Sequence, residues 1–178
     1  MNILGIIFAL AAGVFFGIIG PVTKTAYNLG AGVGLAIFLR YIVALLIVSP
    51  LIPYQKNLIK TYKDNFKLFL LITVASIMLT TGLLISVTYI NVSLTIIIFC
   101  TYPIIVLTIS IFVTKEKIKK IIKFLFITTF IGLFLALSPS TESLKVQGII
   151  FALIASLGAS IMIVTNQTMS KKNISPIQ

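Results

Sequence analysis

Six apolar stretches run through this chain almost end to end, and each is long enough to cross a lipid bilayer. They lie at 3–27, 31–52, 66–88, 92–113, 121–137 and 146–165. A hydrocarbon core about 30 Å thick takes roughly 20 apolar residues in a helix. Inside it every backbone N–H and C=O must be satisfied, which leaves helices or a closed barrel. Barrel strands read as short alternating segments, and these runs are continuously apolar. The expectation is an all-α integral membrane protein with six transmembrane helices. Charged residues are only 10% of the chain and mean hydropathy is +1.19, whereas a soluble domain carries about a quarter charged residues.

The net charge of +11 is confined to a few places. Lys56, Lys60, Lys63 and Lys67 flank the loop after span two; Lys115, Lys117, Lys119, Lys120 and Lys123 flank the loop after span four. Lys171 and Lys172 follow span six, while the opposite side carries only Lys24 and Lys145. Short loops rich in Lys and Arg stay in the cytoplasm. The chain should therefore be multi-pass with both termini cytoplasmic, in a cell membrane such as a bacterial inner membrane. The basic loops would meet anionic lipid headgroups of the bilayer. A nucleic-acid partner is not expected, because exposed aromatics interleaved with the basic residues are lacking apart from Tyr54 and Tyr62.

Two spans open with the same hexapeptide, Gly5 to Leu10 and Gly148 to Leu153. Five crossings separate the copies, so the second must run in the opposite direction to the first. A repeat with inverted orientation is the mark of secondary transporters built from two halves. At an offset of 143, Ala9, Gly13 and Gly17 align with Ala152, Ser156 and Ser160. Small residues at every fourth position let helix backbones approach in lipid. Gly13 and Gly17 are therefore expected at a close helix contact. The domain reading is one five-helix inverted-repeat unit over 1–138 and the start of a second, truncated unit over 146–178.

Several segments resemble the EamA family of the drug/metabolite transporter superfamily. Gly17 to Lys24 is similar to the family's first-helix segment, and Leu39-Arg40-Tyr41 to its second-helix arginine element. Tyr89 to Ser93 resembles the turn entering helix four, and Pro103 followed by Glu116 resembles the proline-to-glutamate spacing of that helix. The lysine-rich start of span five departs from the pattern, and so does the missing second half. The resemblance implies transport of small metabolites, including amino acids or related compounds, by alternating access. It fixes neither substrate nor coupling. A lipid or lipid-linked-sugar translocator, and a non-transporting membrane subunit or fragment, are the alternatives. A small-molecule substrate is implied as partner, with a second copy or the remainder of the second repeat as protein partner.

Arg40 lies within span two, roughly 9–13 Å from the outer side at about 1.5 Å per residue. An intramembrane arginine is costly and faces a cavity or partner, or snorkels to the interface. With Thr101 and Tyr102 it is expected to border a polar cavity as a substrate-binding group. Lys24, nearer the outer surface, joins the binding candidates, with snorkelling the stronger reading. Pro21 and Pro103 each remove a backbone hydrogen bond, giving a packing kink or, at Pro103, a cavity-lining break. Glu116 has a structural part, pairing with Lys119 or Lys120 at a helix end.

Catalysis is not expected. Asp64, Glu116 and Glu142 sit at membrane edges on different helices or sides, and there is no histidine. Cys100 is the only cysteine, so no disulfide or metal cluster is expected, nor any cofactor.

Overall fold

The computed structural model describes residues 3–50, 62–114, 120–137 and 145–171. Its elements are α1 (Ile3–Asn28), α2 (Val33–Val48), α3 (Phe66–Tyr89), α4 (Val92–Phe99), α5 (Tyr102–Thr114), α6 (Lys120–Leu137) and α7 (Val146–Lys171). Among the described residues there is no strand. Four helical stretches are long and apolar enough to cross a membrane: Gly5–Asn28, Phe66–Tyr89, Val92–Ile109 and Val146–Ser170. Val33–Val48 is a shorter apolar helix.

Span four departs from a single helix. It is two helices, α4 and α5, separated by a turn at Cys100 and Thr101. The break falls just before Pro103 rather than at it. Pro103 sits in the first turn of α5, where a missing N–H costs nothing because first-turn N–H groups have no intrahelical partner. Pro21 behaves differently, since α1 continues through it.

The chain reverses after α1 through Gly30, whose φ of +91° suits a residue without Cβ. Gly30 N donates to Tyr27 O at 3.0 Å and Ala31 N to Ala26 O at 3.0 Å, a Schellman cap that stops the helix and leads the chain into α2.

The centre of the fold is the antiparallel pair α3 and α7. Glycines make their approach possible. A Cβ on Gly82 would fall 2.7 Å from Phe151 O and 2.8 Å from Ala155 N. A Cβ on Gly158 would fall 2.6 Å from Ala75 O and 2.7 Å from Leu79 N. Gly148 abuts side chains instead, a Cβ there falling 2.7 Å from Ile90 Cγ2. The facing side chains are small: Ala75, Ala152, Ala155 and Ala159 are buried. Leu79 and Phe99 complete this core, with Leu83, Cys100 and Tyr102 packed against it.

Hydroxyls tie the same seam together. Ser86 Oγ donates to Gly148 O at 2.8 Å, which leaves Thr95 Oγ1 as the donor in its 3.0 Å bond to Ser86 Oγ. Ser156 Oγ lies 3.0 Å from Thr101 Oγ1, and the Ser160 hydroxyl, 2.7 Å from Ser156 O in its own helix, also lies 3.0 Å from Tyr102 O. Bonds of this kind between membrane helices contribute about 0.6 kcal/mol each on average.

The repeated small-residue ladder thus has two different environments. Ser156 and Ser160 are fully buried in α7. Their counterparts Gly13 and Gly17 in α1 are exposed, and a Cβ on either meets nothing within 4 Å. The expected close contact at Gly13 and Gly17 is not present among the described residues. The reason is geometric: α1 meets α3 and α4 along its C-terminal half, where a Cβ on Gly20 would lie 2.8 Å from Val92 Cγ1. Its N-terminal half presents Phe8, Leu10, Val14 and Phe15 outward.

This division sets an ordering of variants. Gly82→Leu and Gly158→Leu should each lower stability by at least about 1–3 kcal/mol, because backbone atoms cannot move aside. Gly13→Leu should leave the melting temperature in detergent unchanged. An equal loss in Gly13→Leu would mean that another helix covers this face of α1.

Candidate functional site

A cavity of about 260 Å³ opens where α1, α2, α3 and α4 meet. Each helix contributes one face. Phe16, Ile19, Gly20 and Thr23 come from α1, with Gly17 beside them; Leu83, Leu84 and Val87 come from α3. Val92, Thr95, Ile96 and Phe99 come from α4, and Cys100 and Tyr102 from the break that follows it. Arg40 is the contribution of α2. The α1 and α4 sets follow the i, i+3, i+4, i+7 spacing of a single helix face.

The walls are mainly apolar and partly aromatic. The Phe99 ring lies 6.2 Å from that of Phe16 and 5.3 Å from that of Tyr102, tilted in both pairs. Arg40 is half-buried, and its guanidinium has no hydrogen-bond or ion-pair partner among the described residues. The Tyr102 hydroxyl likewise bonds to nothing among the described residues. Thr95, by contrast, is buried with its hydroxyl committed to Ser86.

The structure brings Arg40 and Tyr102 to one cavity, and Gly17 lines it as well. Thr101 does not line it. Its hydroxyl donates to Ile98 O at 2.8 Å and accepts from Ser156 on the α7 side, so it serves the helix break. The cavity is also less polar than expected, because Thr101 turns toward α7 and Thr108 bonds back to Ile104 O in its own helix. Neither Pro21 nor Pro103 lines it. Glu116 lies outside the described residues.

Lys24 does not snorkel. Its Nζ donates to Val87 O at 2.9 Å, and the Tyr27 hydroxyl donates to Leu84 O at 3.3 Å. Val87 O belongs to the last turn of α3, which ends at Tyr89, and Leu84 O lies just before that turn. Carbonyls of a last turn lack intrahelical donors, and the helix dipole favours a cation there. Lys24 and Tyr27 thus latch α1 to α3 at the cavity's edge, where Leu84 and Val87 form part of the wall.

Phe16, Leu83, Val87 and Phe99 were not singled out from the sequence. Their stripe spacing is present there, but neighbouring positions are equally apolar and hide it.

A model of the EamA-like transporter family matches residues 3–138. No curated protein and no solved structure matches the chain. With the family match spanning most of the sequence, and with several helices long and apolar enough to cross a bilayer, this multi-pass membrane protein belongs to the EamA-like transporter family.

Proposed function

We propose that the chain supplies a substrate-binding half of a secondary transporter that moves small metabolites by alternating access. The observation that carries the reading is the Arg40 guanidinium, without a protein partner among the described residues, on the wall of a mainly apolar cavity. A cation in that position costs free energy unless something pairs with it. A substrate carboxylate would do so through a charge-assisted, bidentate bond. Arg40 and Tyr102 are the proposed contacts, and the Lys24–Tyr27 latch a gate beside them. A volume near 260 Å³ speaks for a small metabolite over a lipid or lipid-linked sugar, since pockets for drug-sized ligands start near 300 Å³.

The proposed arrangement is six spans in a cell membrane with both termini cytoplasmic, completed by the rest of a second repeat or by a second copy. The antiparallel run of α3 and α7 agrees with two spans, the fourth and fifth, lying between them. The lysine-rich loops supply the orientation.

Two experiments test this. Topology reporters fused at Gln55, Lys119 and Lys172 should all report the cytoplasm, and one at Thr141 the outside; the reverse pattern would end the orientation and the inverted-repeat reading together. Metabolite flux should be compared in Arg40→Lys and Arg40→Gln with surface expression matched. Lys keeps the charge but loses the fork, so apparent affinity should fall in both and further in Gln. Unchanged affinity in both would remove Arg40 from the site.

A further inference from the structure

We infer that the Arg40 cavity selects organic monoanions with an apolar, preferably aromatic, body, and discriminates against zwitterions of the same shape. The inference rests on the reading of this cavity as the substrate site and goes on to name the substrate's charge and shape.

Charge comes first. Arg40 is the one charged residue on the wall, and no carboxylate lies there among the described residues. The single acidic residue within the described segments is Asp64, which precedes α3. Leu83, on the cavity wall, lies nineteen positions further along that helix. At about 1.5 Å per residue the two are separated by roughly 28 Å. A monoanion pairs with Arg40 and leaves the lining residues without net charge. A zwitterion brings a second cation into the same apolar space, with no carboxylate to receive it. Enclosing an uncompensated charge is strongly unfavourable.

Hydrogen bonding points the same way. Arg40 offers donors only, in a fork that matches two carboxylate oxygens. The Tyr102 hydroxyl can add a third donor. An ammonium needs several acceptors, and the neutral polar side chains of the wall are the hydroxyls of Thr23, Thr95 and Tyr102 and the thiol of Cys100. The most buried of these, on Thr95, has its proton committed to Ser86.

The body of the ligand follows from the remaining wall. The tilted rings of Phe16, Phe99 and Tyr102 form one side, and Leu83 and Val87 lie on α3. Tilted and offset ring arrangements are those in which aromatic groups attract. One phenyl group on a short chain suits this surface.

The test is equilibrium binding to the purified protein in lipid nanodiscs, with empty nanodiscs subtracted. Three probes share a phenyl ring and a short chain: phenylpropanoate, phenylalanine and phenethylamine. Phenylpropanoate should bind at least about tenfold tighter than phenylalanine, and phenethylamine should not bind. Arg40→Gln should weaken phenylpropanoate by about 10–100-fold, with Arg40→Lys between it and the parent. Gly17→Leu gives a second handle should Arg40→Gln fail to fold. A Cβ there meets nothing within 4 Å, so the protein should fold while the side chain occupies the cavity and weakens the probe.

Phenylalanine or phenethylamine binding as tightly as phenylpropanoate would overturn the inference. So would binding of none of the three, or phenylpropanoate binding that survives both Arg40→Lys and Gly17→Leu. Each of these results leaves the transport reading to the flux measurement: a flux defect in the Arg40 variants together with tight phenylalanine binding would keep the site and discard its anion preference.

Discussion

Close backbone approach between α3 and α7, made possible by Gly82 and Gly158, is the constraint on which the rest of the structure depends. In lipid no hydrophobic force joins one apolar helix to another, so van der Waals contact and interhelical hydrogen bonds must hold them. Both weaken steeply with distance. With a Cβ position at Gly158 only 2.6 Å from Ala75 O, a larger residue would force the backbones apart. Separation would also strand Ser86, whose bond to Gly148 O spans the same gap. The glycines and the hydroxyl seam are two parts of one arrangement.

That arrangement reaches the cavity through the break in span four. Pro103 cannot donate to the preceding turn, and a turn intervenes between α4 and α5. Left alone, carbonyls at such a break would be unsatisfied in an apolar medium, at a cost of several kcal/mol each. Thr101 returns both its N–H and its hydroxyl to Ile98 O, at 3.1 and 2.8 Å, and its hydroxyl oxygen accepts from Ser156 across on α7. The break is thereby fixed in place. Phe99, Cys100 and Tyr102, which bracket it, are free to form the end of the cavity wall. α7 contributes no residue to that wall, yet it sets the position of those that do.

The class of fold was legible because continuous apolar length has few solutions in a bilayer. The α7 ladder was legible in part: Ser156 and Ser160 were marked by spacing, and both are fully buried. Gly13 and Gly17 carried the same mark and lie open, because spacing shows that a close contact is sterically permitted and says nothing of whether a partner stands opposite. Gly82 and Gly158, which do make the contact, belong to no repeated pattern. Arg40 and Tyr102 stood out as polar groups in an apolar background, and they share a cavity. Thr101 stood out for the same reason and turned the other way. A threonine beside a helix break has carbonyls to satisfy, and this local demand determines its direction. The apolar part of the wall was illegible because hydrophobic periodicity marks a face only where the opposite face is polar.

Lys24 and Arg40 show how two cations in apolar helices are accommodated differently. Lysine is a compact charge on a flexible stem, and the carbonyls ending α3 lie within its reach at the edge of the fold. Helix geometry leaves those carbonyls unsatisfied, so the protein itself supplies the partner. Arginine carries a broad planar group with five donors, which isolated carbonyls satisfy poorly. At Arg40 the described structure supplies no partner. The same physical rule, that charge in an apolar setting must be compensated, makes Lys24 a fastening between α1 and α3, and it is at Arg40 that the described helices leave the demand unmet.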